Sequence, residues 1–368
     1  MKNECVESEV NLSKKLNNFL SGIYSNIKND SLIYYFIITS STITYIISFF
    51  SPGGITFSFF TYLGILGISM FVFLNVWGVY YYFYLLFKLE PHPLKAFFYK
   101  AKVSLTPINR TLYILFLIIS VHVTFSSFTY LKSIIPFIHN FKYDELFSDI
   151  DRLLHFGIDP WIITHTIFSS PWMSLIINIF YNLWFFYFLG VLIYFIFSQS
   201  NPKLRLQFIL SFLSCWMIFG ALFATLLSSA GPCFYEALLD DARYGLLMER
   251  LHSQNDYISN YTDIPLWALG TQESLWNDYV NSESGVGSGI SAMPSMHVSI
   301  ATICALALYQ VKKLVGIFAW IFTAIIQIGS VHLAWHYAID GYASIIITIL
   351  LWKMVGRYLE TNKKPIQR

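Results

Sequence analysis

Charge is what this chain has least of. Only 12% of its 368 residues are Asp, Glu, Lys or Arg, about half the share found in a soluble globular domain. So little polar surface excludes both a soluble enzyme and a disordered tail. Cysteine is scarce too. Cys5, Cys215, Cys233 and Cys304 stand far apart, with no CxxC pair and no zinc spacing, which excludes a disulfide-stapled secreted domain. Cys215 and Cys304 lie in apolar runs and read as small core residues. Residues 1–30 are polar and mixed in charge, without the apolar run of a signal peptide. Internal repeats, coiled-coil heptads and nucleic-acid signatures are also missing. What the chain has in excess is apolar: 56% hydrophobic residues, with Phe, Trp and Tyr alone at 19%. The composition is that of an all-α integral membrane protein.

A spanning helix takes roughly 20 apolar residues, with a range of about 17–25. Runs of that kind lie at about 32–50, 57–87, 111–131, 172–197, 206–229, 295–311, 314–333 and 337–357. Eight crossings put both termini on one side. With a cytoplasmic N-terminus, 18 of the 23 Lys and Arg fall inside, leaving Lys132, Lys142, Arg152, Arg243 and Arg250 outside. Every short loop then obeys the positive-inside rule.

Two outer segments are long. DELFSDIDRLLHFGIDPW, between Asp144 and Trp161, spaces its apolar residues every three to four positions, as a helix lying along the membrane surface would. Its Asp144, Asp149 and Asp151 read as the wet face. Residues 230–294 carry nine acidic residues, several Trp and Tyr, and the Gly/Ser-rich run SESGVGSGISAMPS. The expected organisation is an N-terminal membrane region at 1–140, an interfacial helix with two spans at 141–229, a core of outer loop and last three spans at 230–357 and a cytoplasmic tail at 358–368.

Ionisable groups in or at the ends of membrane helices are costly to place there, so they are functional candidates. His297, in Ala-Met-Pro-Ser-Met-His, starts the sixth span. His336 and Asp340, in His-Tyr-Ala-Ile-Asp, sit where the seventh meets the eighth. The expected topology brings all three to the outer face. Four residues apart, His336 and Asp340 share a helix face if that segment is helical. A carboxylate there accepts the proton of one ring nitrogen and frees the other as a nucleophile. Pro294 and Ser295 open the sixth span, where free backbone N–H groups and the Ser295 hydroxyl suit a phosphate.

Pro-Ser-x-His followed by His-x-x-x-Asp resembles the type 2 phosphatidic acid phosphatase superfamily. The fuller SAMPSMH, HYAIDGYAS and Gly231-Pro232 are similar to its inositol phosphorylceramide synthase branch and the bacterial relatives of that branch. The resemblance covers residues 230–346. It implies that His336 attacks phosphorus and becomes a phosphohistidine, that Asp340 orients it, and that His297 protonates the leaving alkoxide and then acts as base toward the acceptor. No metal or other cofactor is implied. The family's upstream Lys-x6-Arg-Pro is matched only by Arg243-x6-Arg250, seven apart and so placed to share a helix face and reach one phosphate. Six residues before His336 stands Ser330 rather than the family's arginine, with His332 one turn earlier as its candidate stand-in. These residues also have structural readings: a solvated loop face for the two arginines, a packing role for His332.

The expectation is a lipid phosphotransferase or phosphatase in a bacterial inner membrane, its site facing outward. The first choice is transfer of a phospho-headgroup such as phosphoinositol onto a lipid alcohol; hydrolysis of a lipid phosphate or polyprenyl diphosphate is the alternative. Its partners would be the membrane lipid and an alcohol or water, with no nucleic acid. His332, His336 and Asp340 at i, i+4 and i+8 also suggest a metal-dependent membrane enzyme, and intramembrane His and Asp a transporter's proton relay.

Overall fold

The computed structural model describes residues 2–51, 55–282 and 287–361. The C-terminal cations Lys363, Lys364 and Arg368, most of the expected tail and the start of the Gly/Ser-rich run lie outside the described residues. Those that are described form helices joined by turns and loops, with no strand among them. In chain order the helices are α1 (Lys2–Asn29), α2 (Ser31–Ser48), α3 (Leu63–Phe87), α4 (Pro93–Leu105), α5 (Ile108–Ile138), α6 (Asp144–Leu154), α7 (Pro160–Ile167), α8 (Pro171–Phe197) and α9 (Pro202–Ser214). A π-helical stretch, Cys215–Phe223, runs on into α10 (Ala224–Leu226). Then follow α11 (Tyr235–Leu239), α12 (Gly245–Ser259), α13 (Trp267–Asn281), α14 (Met296–Val311), α15 (Lys313–His332) and α16 (Ala338–Thr361). Helices α4, α7, α8 and α9 each begin with proline at the first position, where its missing N–H costs nothing and its fixed φ already suits the helix.

Among the described residues, seven helices are long and apolar enough to cross a membrane: α2, α3, α5, α8, α9 through α10, α15 and α16. The eighth expected span is α14, apolar but 16 residues long, a rise of about 24 Å against a hydrocarbon core of about 30 Å. The protein is an all-helical integral membrane protein.

The chain divides into two compact units, Met1–Thr39 with Phe59–Ser126, and Ser40–Ser58 with Ser127–Arg368. In the first, α3 packs against α4, with Trp77 stacked on Tyr81 and Phe97 tilted against both. The Tyr113 hydroxyl donates to Asp30.

The second unit is built around α14, which packs on α8, α9, α15 and α16. Its Ser299, Ala301, Thr302, Ala305 and Ala307 are all fully buried; side chains this small let neighbouring backbones approach closely. A Cβ at Gly316 would stand 2.3 Å from the Tyr309 Cα, so the α14–α15 hairpin closes only on glycine. The π-helical stretch presents Gly220 to the Phe128 ring and to Met296, the residue before His297.

Helix α6 faces opposite to expectation. Asp144, Ser148 and Asp151 are buried, while Leu146, Leu153, Leu154 and the following Phe156 are exposed. Asp149 alone of the three acids stays on the surface, paired with Arg243. The reason is physical: in a membrane protein the outward side of an interfacial helix meets lipid, so the apolar stripe turns out and the polar stripe turns into the protein. The expected outer loop at 230–294 holds α11, α12 and α13, of which α12 and α13 pack on α8.

Candidate active site

The site lies in the second unit, where three chain segments converge. Residues 229–233 lie between 292–293 and 334–335. Ala292 N–H donates to the Ser229 carbonyl (2.8 Å) and Met293 N–H to the Ser229 hydroxyl (3.2 Å), while Cys233 N–H donates to the Ala334 carbonyl (3.0 Å). At Gly231, with φ at +100°, a Cβ would come within 2.6 Å of the Trp335 carbonyl oxygen. Only glycine fits that crossing, in conformation and in space.

The link after α15 explains why His332 and His336 part company. The helix ends at His332, Ala334 takes a left-handed φ of +62°, and the N–H groups of Trp335 and His336 both donate to the Ser330 carbonyl at 3.0 Å. His336 therefore sits in a turn and Asp340 in the first turn of α16, so the three residues do not form one helix face as their spacing suggested. His336 and Asp340 meet nonetheless: His336 Nδ1 is 3.3 Å from Asp340 Oδ2, an oxygen that also accepts Tyr337 N–H at 3.0 Å. Burial, helped by the charge on Lys132 and opposed by the Ala292 backbone, holds the His336 imidazole down to about 3. It is neutral at physiological pH.

His297 lies in the first turn of α14. Ser295 is the N-cap, its hydroxyl accepting Val298 N–H at 3.5 Å and its own N–H donating to the Asp340 carbonyl at 3.4 Å. The His297 ring stands edge-on to His336, centroids 6.0 Å apart, and lies against Tyr181 (4.6 Å) and Trp184 (4.3 Å). Trp184 Nε1–H donates to the His297 carbonyl at 2.9 Å, tying α8 to the start of α14. His297, His336, Asp340 and Ser295 are thus brought together.

The other candidates are not. Arg243 lies in a 3-10 turn and Arg250 in α12, so they share no helix face. Arg243 Nη1 donates to Ser148 and Asp149, both at 2.8 Å; Arg250 Nη2 donates to the carbonyls of His165 and Ser169, both at 3.3 Å. His332 stacks on His165, centroids 3.8 Å apart. The Ser174 hydroxyl donates to Gln254 and accepts His332 Nε2–H at 2.7 Å, while His165 Nε2–H donates to the His332 carbonyl at 2.9 Å. With those protons on Nε2, each neutral ring presents a bare Nδ1, buried and without a hydrogen-bond partner among the described residues. A bare imidazole acceptor repels a phosphate oxygen, so His332 is ill suited to replace the arginine absent at Ser330.

Three residues around the site went unrecognised in the sequence. Asp144 accepts Ala230 N–H on both oxygens at 2.9–3.0 Å, and its Oδ1 also takes Gly231 N–H and the Tyr337 hydroxyl, each at 2.8 Å. Burial pushes its carboxyl up, and those same donors pull it down. Asp151 caps α16, accepting Ala338 N–H at 2.6 Å and Ile339 N–H at 2.8 Å. Burial raises its carboxyl to about 6, opposed by the two N–H groups and reinforced by Asp340. The third is Lys132, whose charge reaches both His297 and His336; the apolar residues that continue past it to Ile138 were the signal for it.

Two histidines and a carboxylate gathered among apolar helices are a setting for nucleophilic and acid–base chemistry. The chain belongs to the PAP2 superfamily, whose family model matches residues 145–354. No curated protein and no solved structure matches it. It is an enzyme of the phosphatase type, acting on a lipid phosphate in a membrane.

Proposed function

We propose that the protein moves a phospho-headgroup, such as phosphoinositol, from a phospholipid onto a lipid alcohol through a phosphohistidine on His336. In the first half-reaction the His336 ring nitrogen not facing Asp340 attacks phosphorus. A P–N bond forms as the P–O bond breaks, and His297 gives the departing alkoxide its proton. In the second, His297 takes the proton of the acceptor hydroxyl, whose oxygen displaces His336 from phosphorus. Asp340 fixes the His336 tautomer and offsets the charge the ring acquires. Ser295 and the free N–H groups of the first α14 turn receive phosphate oxygens. Both termini are assigned to the cytoplasm and the site to the outer face, following the distribution of Lys and Arg.

The observation that carries this reading is the 3.3 Å approach of His336 Nδ1 to Asp340 Oδ2, with His297 facing the same ring. The Tyr181 and Trp184 rings packed on His297 make its surroundings apolar, which favours a lipid acceptor over water. Hydrolysis of a lipid phosphate shares the first half-reaction and differs only in the acceptor.

The test is product analysis by mass spectrometry on purified protein with a panel of phospholipids and polyprenyl phosphates, with and without a lipid alcohol. A new phospholipid formed only with the alcohol supports transfer; free phosphate supports hydrolysis. His336→Ala is expected to abolish both, and near-normal turnover in that variant overturns the nucleophile assignment. His297→Ala is expected to slow lipid substrates far more than activated aryl phosphates, whose leaving groups need no proton. Equal losses on both would remove its acid role.

A further inference from the structure

The two arginines matched to the family's basic motif are placed elsewhere: Arg243 is paired with Asp149, and Arg250, whose Nε has no hydrogen-bond partner among the described residues, donates from Nη2 to the His165 and Ser169 carbonyls and acts on His165 and His332. Lys132 is placed differently. It lies within α5, six residues before the helix ends and upstream of the family match at 145–354. It is half-buried, and among the described residues it has no hydrogen-bond or ion-pair partner for its ammonium. A cation withdrawn from water without a counter-charge is expensive.

The backbone shows where the stem of that side chain starts. Gly289, at φ +96°, lies on the Lys132 stem so closely that a Cβ there would stand 2.8 Å from its carbonyl carbon and 3.0 Å from its Cγ. Three residues on, the backbone of Ala292 meets the His336 ring. Three extended residues span at most about 10 Å, so one short segment has Lys132 at one end and the nucleophile candidate at the other. Lys132 is close enough to act electrostatically on both His297 and His336. Its positive charge would otherwise only raise the cost of an imidazolium at His336, an arrangement that makes sense once an anion lies between them.

We propose that Lys132 binds the substrate's phosphate, supplying from α5 the positive charge that neutralises the transferring phosphoryl group beside His336. This rests on the phosphoryl-transfer reading above. The lysine is a charge on a flexible stem, suited to following the phosphate from bound lipid to phosphohistidine.

The experiment uses the full chain in detergent, with phosphatidic acid micelles as substrate and orthovanadate as an inert phosphoryl mimic. Lys132→Met is expected to lower kcat/KM about 100-fold or more and to weaken vanadate inhibition at least about tenfold, with Lys132→Arg recovering most of both because charge rather than shape is required. Vanadate is also expected to shield Lys132 of the unmodified chain from trinitrobenzenesulfonate, read by peptide mass spectrometry; this arm needs neither a folded variant nor a known substrate. Vanadate affinity and turnover within twofold of the parent in Lys132→Met, or labelling that vanadate does not slow, overturns the role of Lys132. If His336→Ala is inactive in the same assays, the phosphohistidine reading survives that failure; if His336→Ala is active, that reading fails first.

Discussion

Helices α3 and α14 are both apolar, yet each meets its surroundings in the opposite way. Of the described α3 side chains only Leu85 is buried, whereas α14 from Val298 to Ala305 has none that is exposed. Helix α3 is aromatic and large-sided, FVFLNVWGVYYYFYLLF; α14 is small-sided, VSIATICALAL. The first composition offers surface to lipid and the second offers close backbone approach. The polar groups follow the second: Asp144, Asp151, His336 and Asp340, all buried, lie at or near the ends of α14, α15 and α16. Hydrophobicity marks where the chain crosses; small residues and buried carboxylates mark where it packs around its buried polar groups.

That contrast can be pressed with substitutions, beginning with the largest effect. Asp340→Asn keeps the shape but brings no negative charge to offset that of the His336 ring, and kcat/KM is expected to fall about a thousandfold or more with little loss of thermal stability. A loss under tenfold would mean the carboxylate is only packing. Next, Asp144→Ala strands the N–H groups of Ala230 and Gly231 and the Tyr337 hydroxyl, at a cost of about 3 kcal/mol. The expected result is an early unfolding transition in detergent melts, which an unshifted midpoint would refute.

Asp151 gives a pH dependence. Its carboxyl titrates near 6, so below that pH it gains a proton and loses one of its two bonds to the first turn of α16. Activity is expected to fall on the acid side with a midpoint near 6, and in Asp151→Asn, which mimics the protonated form at every pH, that limb is expected to disappear. The stability linked to this group runs the other way. Its folded value lies above the ordinary 3.8, so its contribution is fully present below about pH 4 and is lost as pH rises through 6. An acid limb unchanged in the Asn variant would assign it to another group. The smallest effect belongs to α3: Phe71→Ala, at an exposed position, is expected to change stability by no more than about 0.5 kcal/mol, and a large loss there would erase the contrast between the two helices.

The sequence carried the spans well, because a run of apolar residues has few other uses. Each of the eight expected runs has a helix, although only seven are of spanning length and α3 begins at Leu63, later than the run at 57. Spacing alone brought His336 to Asp340, by the right distance but through a turn rather than a helix, since nothing in Leu-Ala-Trp announces a left-handed alanine at 334. Which face of α6 turns inward was illegible, because periodicity gives the two faces and not the solvent each meets. The same limit hid Asp144 and Asp151 as donors' partners. Lys132 was hidden by a boundary: ending the third span at 131 put it in a loop, whereas α5 runs on to Ile138. The pairing of Arg243 with Asp149 depends on tertiary packing and leaves no trace in the spacing Arg-x6-Arg.

The most direct test of the central claim is to quench the enzyme with a lipid donor labelled in its phosphate and map the label on the protein. The account predicts an acid-labile, base-stable phosphoprotein with the label on His336, absent in His336→Ala and discharged by a lipid alcohol. Label on another residue, or full turnover in His336→Ala, would contradict it.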